Sequence, residues 1–361
     1  MINYEEQFPI LKKYTYANTA STGLIPKSAI AWRNQHDREF LEEASNMRMH
    51  SGGILSDTRK TVATFFGASL KNVALLQNFT LGLNILLEGL AKDKKVLLLE
   101  DDYPSLNWSF ENRGFTITYC KINRDLERNI KEKLESGQID ILALSLVQWV
   151  NGIKVDLDFL KELKRAYPQL LIIADGTQFC GTQDFDFNES GLDVLGSSAY
   201  KWLLSGFGNG FMLFKDSVKE WANVETIGFN AADLDPARKN SIRFAKHFEP
   251  GHLDSFNFGT LNHSLGLLQE FGKNNIADKL ERLSTKALTE FAALDLLDGE
   301  ILYRKNHSTI FNVKGDTVLF DHLTQNNVLC SQRGNGIRFS FHFYNKLEDI
   351  DRIIEIINKK M

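Results

Sequence analysis

Two stretches, QLLIIADGTQFCG at residues 169–181 and LDVLGSSAYKWLLSGFGNGFMLF at residues 192–214, decide how this chain folds. In the first, the apolar, partly β-branched run Leu170–Ala174 ends on Asp175. In the second, Val194–Ser197 leads into a turn carrying Lys201, then Gly206, Gly208 and Gly210, then a further apolar run at Phe211–Phe214. Short continuous apolar runs bounded by turn residues are the pattern of strands buried on both faces. Working outward, similar runs stand at Val73–Leu76, Lys95–Leu99, Thr116–Tyr119 and Ile141–Leu146. Between them, stretches of helical period fall at Ser56–Phe66, Thr80–Gly89, Ser105–Asn112, Arg124–Glu135 and Leu157–Ala166, with Asp156 a candidate N-cap for the last. This alternation predicts an α/β fold with right-handed crossovers, a mostly parallel seven-stranded sheet, and a ligand crevice at the carboxyl ends of the strands.

Past Gly251 the pattern changes to a long helical stretch at Leu261–Leu294, short strands at Ser308–Val313 and Gly336–Phe341, and a closing helix at Leu347–Asn358. We read a large α/β domain over residues 15–255 and a smaller α+β domain over residues 256–361, with residues 1–14 packing against the latter. A chain of 361 residues is long enough for two domains. The net charge of −4 argues against nucleic acid or an anionic membrane as partner. No apolar run approaches the roughly 18 residues of a membrane span, and MINYEEQFPILKKY does not read as a signal peptide. Cys120, Cys180 and Cys330 are scattered and lack metal-ligand spacing, which suits free thiols in a reducing compartment; a cytoplasmic protein without a bound metal is expected.

The chemistry centres on Asp175 and Lys201. An amine flanked by Tyr200 and Trp202 is partly desolvated, which lowers its pKa and suits it to attack an aldehyde. A carboxylate at the facing strand end keeps a pyridinium nitrogen protonated, and a protonated pyridinium is the electron sink that stabilises a carbanion. Taken singly, such a lysine is usually solvated and such an aspartate is usually a turn residue. The pair with its glycine-rich sequel is far more specific.

From YTYANTASTGLIP (residues 14–26) to RFSFHFYNKLEDID (residues 338–351), the chain resembles the class V aminotransferase and cysteine desulfurase family of pyridoxal-phosphate enzymes, of the aspartate-aminotransferase fold, type I. The family's Asp-x-x-Gln motif is matched by Asp175-Gly176-Thr177-Gln178, and its Ser-x-x-Lys by Ser198-Ala199-Tyr200-Lys201. The resemblance implies that Lys201 carries the cofactor as a Schiff base, that Asp175 pairs with the ring nitrogen, and that Gln178 contacts the phenolic oxygen. Ser198 would contact the phosphate, with Tyr200 standing where desulfurases commonly have His. Asn78, Phe79 and Thr80 would hold the phosphate at a helix N-terminus, where free N–H groups and the macrodipole favour a dianion. Tyr103 would stack on the ring. The family's Glu-x-Gly-Thr motif, which reaches into a neighbouring subunit, corresponds to Glu249-Pro250-Gly251-His252; His252 and Thr260 compete for that role, and a homodimer with shared active sites is implied.

On the substrate side, the resemblance makes Arg338 the ligand of the α-carboxylate, a task suited to a guanidinium fork, with Arg333 a weaker second. Asn18 and Ala20 would line that pocket. Trp149 stands where many relatives have Asn, and Gln148 is its alternative. Residues 14–22 and 48–50, with Trp149, are the candidates for selecting the substrate. The thiol of a desulfurase lies on a loop shortly before the arginine, whereas Cys330 lies in the compact VLCSQRGNGIRFS and reads as a structural thiol, as does Cys180. The expected activity is therefore an aminotransferase acting on an amino acid, with Lys201 as general base. A lyase of desulfurase or C–S lyase type, or an epimerase, is the alternative. Loss of Lys201, Asp175 or Gln178 would have pointed to a binding module; all three are present.

Overall fold

The computed structural model describes residues 4–304 and 306–360, so the first three residues of the segment expected to join the smaller domain lie outside the described residues. The central sheet has seven strands, ordered Val73–Leu76, Gly210–Phe214, Val194–Ser198, Leu171–Asp175, Ile141–Ser145, Lys95–Leu99, Thr116–Cys120. Gly210–Phe214 runs antiparallel to both its neighbours, and the other pairings are parallel. The α/β architecture and mostly parallel sheet expected from the alternating runs are what the chain adopts. Five of its strands, Leu171–Asp175 and the antiparallel Gly210–Phe214 among them, are buried at every position, as strands covered on both faces must be.

Side-chain caps fix where the helices begin. Asp156 accepts the N–H groups of Asp158 (2.9 Å) and Phe159 (3.5 Å), so Leu157–Ala166 starts where expected. Asn78 does the same for Phe79–Gly89. Two helical readings are corrected. The helix read as Ser56–Phe66 spans Met47–Phe65, and the stretch read as one helix is two, Ser255–Phe271 and Lys273–Ala293. Gly272 between them has φ +85°, a left-handed conformation open to glycine, and turns the chain.

The C-terminal part forms a three-stranded antiparallel sheet with Gly336–Ser340 between Ser331–Arg333 and Ile310–Lys314. The N-terminal residues attach to it: Thr15–Tyr16 pairs with Val328–Leu329, Asn18 bridges Ser340, and the Ala20 N–H donates to Ser340 Oγ (2.9 Å). This places the loop of residues 17–23 between the small sheet and the Lys201 turn. Among the described residues no helix is long and apolar enough to cross a membrane.

Candidate active site

Parallel pairing sets Ser145 opposite Asp175 and Asp175 opposite Gly196, while Gly210 pairs with both Ser198 and Leu76. The register therefore gathers strand ends from distant parts of the sequence around one cavity of about 220 Å³. Asn78, Phe79, Thr80, Tyr103, Trp149, Asp175, Gln178, Ser198, Tyr200 and Lys201 all line it, joined by Ser145, Val147, Thr177 and Phe207.

Lys201 lies on a turn pressed against the N-terminal loop. The Gly23 N–H donates to Tyr200 O (2.9 Å), and a Cβ on Gly23 would stand 1.8 Å from Lys201 O, so only glycine fits there. The Lys201 side chain is buried, with Nζ 5.5 Å from the Tyr103 ring centroid and 5.4 Å from that of Tyr200. It makes no hydrogen bond or ion pair among the described residues. Burial pushes the amine down to about 8, against the pull of Asp175; Arg338 and Arg333 push it the same way as burial. A fraction of neutral amine is thus present near neutral pH, as attack on an aldehyde requires.

Asp175 is buried and accepts the Thr177 N–H at Oδ1 (2.8 Å). Burial raises its carboxyl to about 6, opposed by the Thr177 hydrogen bonds and by Lys201. At the opposite end, the N–H groups of Phe79, Leu81 and Gly82 take Ser198 Oγ (2.9 Å), Asn78 Oδ1 (2.9 Å) and Asn78 O (3.4 Å). The Thr80 N–H, in the first turn of that helix, has no acceptor among the described residues, and Thr80 lines the cavity. Tyr200 stacks on Phe207 (centroids 4.6 Å apart, 24° between planes). Tyr103 meets Trp149 edge-on at 5.9 Å.

Arg338 does not line this cavity. It lies behind Trp149, 2% exposed, donating from Nη1 to Trp149 O and from Nη2 to Ser21 Oγ, both at 2.6 Å. Its Nε has no partner, and it pairs with no carboxylate among the described residues; burial lowers its pKa to about 10. Asn18 sits nearby on the small sheet, with Oδ1 buried and unpartnered, and also stays outside the cavity. Gln148 turns away, its amide donating to Ser145 O (3.3 Å). Arg333 is exposed.

His252 and Thr260 both lie away from the cavity. His252 is exposed, 3.4 Å from Arg48 Nη2. Thr260 is wholly buried, its hydroxyl donating to Phe256 O (2.7 Å) and accepting from Arg33 Nε (3.0 Å). The Thr260 hydroxyl is thus engaged within its own chain, whereas His252 is exposed. All three cysteines are buried, and burial raises the Cys330 and Cys120 thiols to about 12 and Cys180 likewise upward. None lines the cavity. Among the described residues no group of three or more His, Cys, Asp or Glu side chains is placed to hold a metal ion.

Sequence reasoning missed Asp102. Its buried carboxylate accepts the N–H groups of Tyr103 (2.6 Å) and Ser145 (2.8 Å), tying together two strand ends that flank the site. An acid directly before an aromatic was the available signal, but the exposed Glu100 and Asp101 beside it mask which acid turns inward.

Comparison with known proteins agrees with this geometry. The family model for aminotransferase class V matches residues 16–353, and the chain belongs to that family. The family is pyridoxal-phosphate-dependent. The chain is 23% identical over 397 residues to a probable cysteine desulfurase of Ureaplasma parvum serovar 3, covering 99% of this chain and 97% of the relative. It is 22% identical over 373 residues to the uncharacterized aminotransferase YcbU of Bacillus subtilis, covering 99% and 97%. Its fold matches the cystine C–S lyase C-DES, solved with its product cysteine persulfide, with TM-score 0.87, 18% identity, and coverage of 97% and 98%. The residues around the cavity fit the cofactor: an unpartnered amine for its aldehyde, a buried carboxylate for its ring nitrogen, and a helix N-terminus with an open N–H for its phosphate.

Proposed function

We propose that this chain is an aminotransferase acting at the α-carbon of an amino acid, with Lys201 as both cofactor anchor and general base. The observation that carries the reading is a buried amine without a partner sharing one cavity with a buried carboxylate. Pyridoxal phosphate, when bound, supplies the electron sink that makes the Cα–H bond acidic. Asp175 would pair with the ring nitrogen and keep its proton in place. Ser198 and the Asn78–Thr80 turn hold the phosphate, and Tyr103 covers the ring. Lys201 Nζ would take the proton from the substrate Cα and hold it for return, the role of a general base. We assign the substrate carboxylate to Arg338, which reaches it only by exchanging its bonds to Trp149 O and Ser21 Oγ. The exposed His252, beside Arg48, is the residue we assign to a second subunit in a homodimer.

A carbon–sulfur lyase is the second reading, favoured by the desulfurase and C–S lyase names among the relatives. The buried thiols argue against a version in which a cysteine of this chain accepts the sulfur.

Absorbance spectra of the purified protein with saturating cofactor, wild type and Lys201→Ala, test the proposal. A band near roughly 410–430 nm, present in the wild type and lost in the variant, is expected. Amino acids that convert it to the pyridoxamine form support transamination, whereas release of pyruvate and sulfide replaces it with the lyase. No band in the wild type overturns both.

A further inference from the structure

Gln178 faces the cavity with an amide whose two ends are held by groups of fixed hydrogen-bonding character. Its Oε1 accepts from Trp202 Nε1 (2.7 Å), and its Nε2 donates to Ala20 O (3.0 Å). An indole N–H can only donate and a carbonyl can only accept. Rotating the amide by half a turn would set donor against donor at Trp202 and acceptor against acceptor at Ala20, two buried mismatches at once. The orientation is therefore locked, and the second Nε2 hydrogen is the group left for a ligand.

Trp202 is itself fixed. It is 1% exposed, its carbonyl accepts from His342 Nε2 (3.0 Å), and its ring meets the His342 ring edge-on at 5.1 Å. Burial lowers the His342 pKa to about 3, so the imidazole is neutral, and its bond to an acceptor-only carbonyl requires the proton on Nε2. A Cβ on Gly181 would stand 2.7 Å from Trp202 O, so the chain closes tightly over this carbonyl as well. Lys201 points into the cavity, and its neighbour Trp202 anchors on the other side.

We infer that Trp202 is a positioning residue that sets the Gln178 amide so that it presents an N–H donor, never the carbonyl, to the phenolic oxygen of the cofactor. This deepens the proposed function and rests on it. A donor at that oxygen draws off negative charge that would otherwise hold the proton of the neighbouring lysine-linked nitrogen, so it lowers the pH at which that proton leaves. A flipped amide would raise it.

The test is the pH titration of the absorbance band of cofactor-loaded protein. Trp202→Phe keeps most of the apolar bulk and removes the N–H. Its titration midpoint is expected to rise by about one pH unit, the size of one hydrogen bond to an ionised group. Adding Trp202→Phe to Gln178→Leu is expected to move the midpoint no further than Gln178→Leu alone, because Trp202 acts through Gln178. If Trp202→Phe does not fold, benzothienylalanine at position 202 keeps the shape of tryptophan without its N–H and is expected to give the same rise. An unmoved midpoint in a folded Trp202 variant overturns the inference while leaving the proposed function intact. A wild-type protein that shows no band overturns both.

Discussion

Two buried clusters of charge in this molecule are built in opposite ways. Glu249 is fully buried, yet its carboxylate receives both Arg59 Nη1 (2.5 Å) and Nη2 (2.9 Å), Lys246 Nζ (2.9 Å) and the Leu75 N–H (2.8 Å). Arg338, equally enclosed, has two neutral acceptors, an unpartnered Nε and no carboxylate among the described residues. Lys201 has no hydrogen-bond partner among them, although Asp175 attracts it. Burying a charge is costly unless it is paired and hydrogen-bonded. A chain that satisfies one buried carboxylate four times over and leaves a guanidinium and an amine uncompensated holds the first for stability. Under the proposed function the others are left for the ligand.

That contrast is broken or upheld by a pair of substitutions. Glu249→Gln keeps the shape but leaves Arg59 and Lys246 without their counter-charge, and about 3–5 kcal/mol of stability should be lost. The same variant should leave the absorbance band of the bound cofactor in place. Arg338→Met removes a buried, unpaired charge, so stability should hold or rise, while KM for the amino acid should climb roughly a hundredfold or more as the carboxylate contact is lost. Urea denaturation and steady-state kinetics on both variants decide it. If Arg338→Met is the more destabilised of the two, the division between structural and ligand-seeking charge fails.

A smaller effect separates the same clusters by pH. The Lys201 amine is depressed to about 8 in the folded chain from an ordinary value of 10.5. Between those values the unfolded state binds more protons, so cofactor-free protein should gain stability as pH rises from about 8 toward 10 and lose it again as pH falls through 8. Asp175 has the opposite sign. Its carboxyl is raised from 3.8 to about 6, the folded state holds the extra proton, and stability should fall as pH rises through that range. Thermal midpoints measured against pH, with and without Lys201→Met, test this: the variant should lose the alkaline gain. An alkaline gain that persists in the variant would assign it to another group.

How far the sequence could be read follows the same physics. The seven strands were legible because burial on both faces leaves continuous apolar runs, and the Asp175–Lys201 pair because strand ends converge on the crevice. Lys27–Glu43 was not recognised as a helix: only Ala29 and His36 are buried on it, so no apolar stripe is written along it. The start of Met47–Phe65 was placed late because its first half carries Gly52 and Gly53 and buries little beyond Met47. Motif spacing offered His252 and Thr260 alike and carries no information about which way a hydroxyl faces; Thr260 lies inside the helix Ser255–Phe271. The same limit hid the position of Arg338 behind Trp149, and the inward turn of Asp102.

The smallest effect concerns a buried group of a third kind. Cys330 is 8% exposed and lies eight residues before Arg338 in sequence, the neighbourhood in which a desulfurase carries its sulfur-accepting thiol. Here it follows the short strand Val328–Leu329 in the small module and precedes Ser331–Arg333, so backbone pairing on both sides holds it away from the cavity. Burial raises its thiol to about 12, and a nucleophile of that pKa is almost wholly protonated at neutral pH. Cys330→Ala should therefore leave kcat and KM for every active amino acid within about twofold, with a modest loss of stability from the vacated volume. A drop in sulfide release of a hundredfold or more, with the absorbance band intact, would show that the strand opens and the thiol ionises during turnover. It would also make Cys330 a third member of the ligand-seeking cluster, and the comparison with Glu249 would have to be redrawn around a site that includes sulfur.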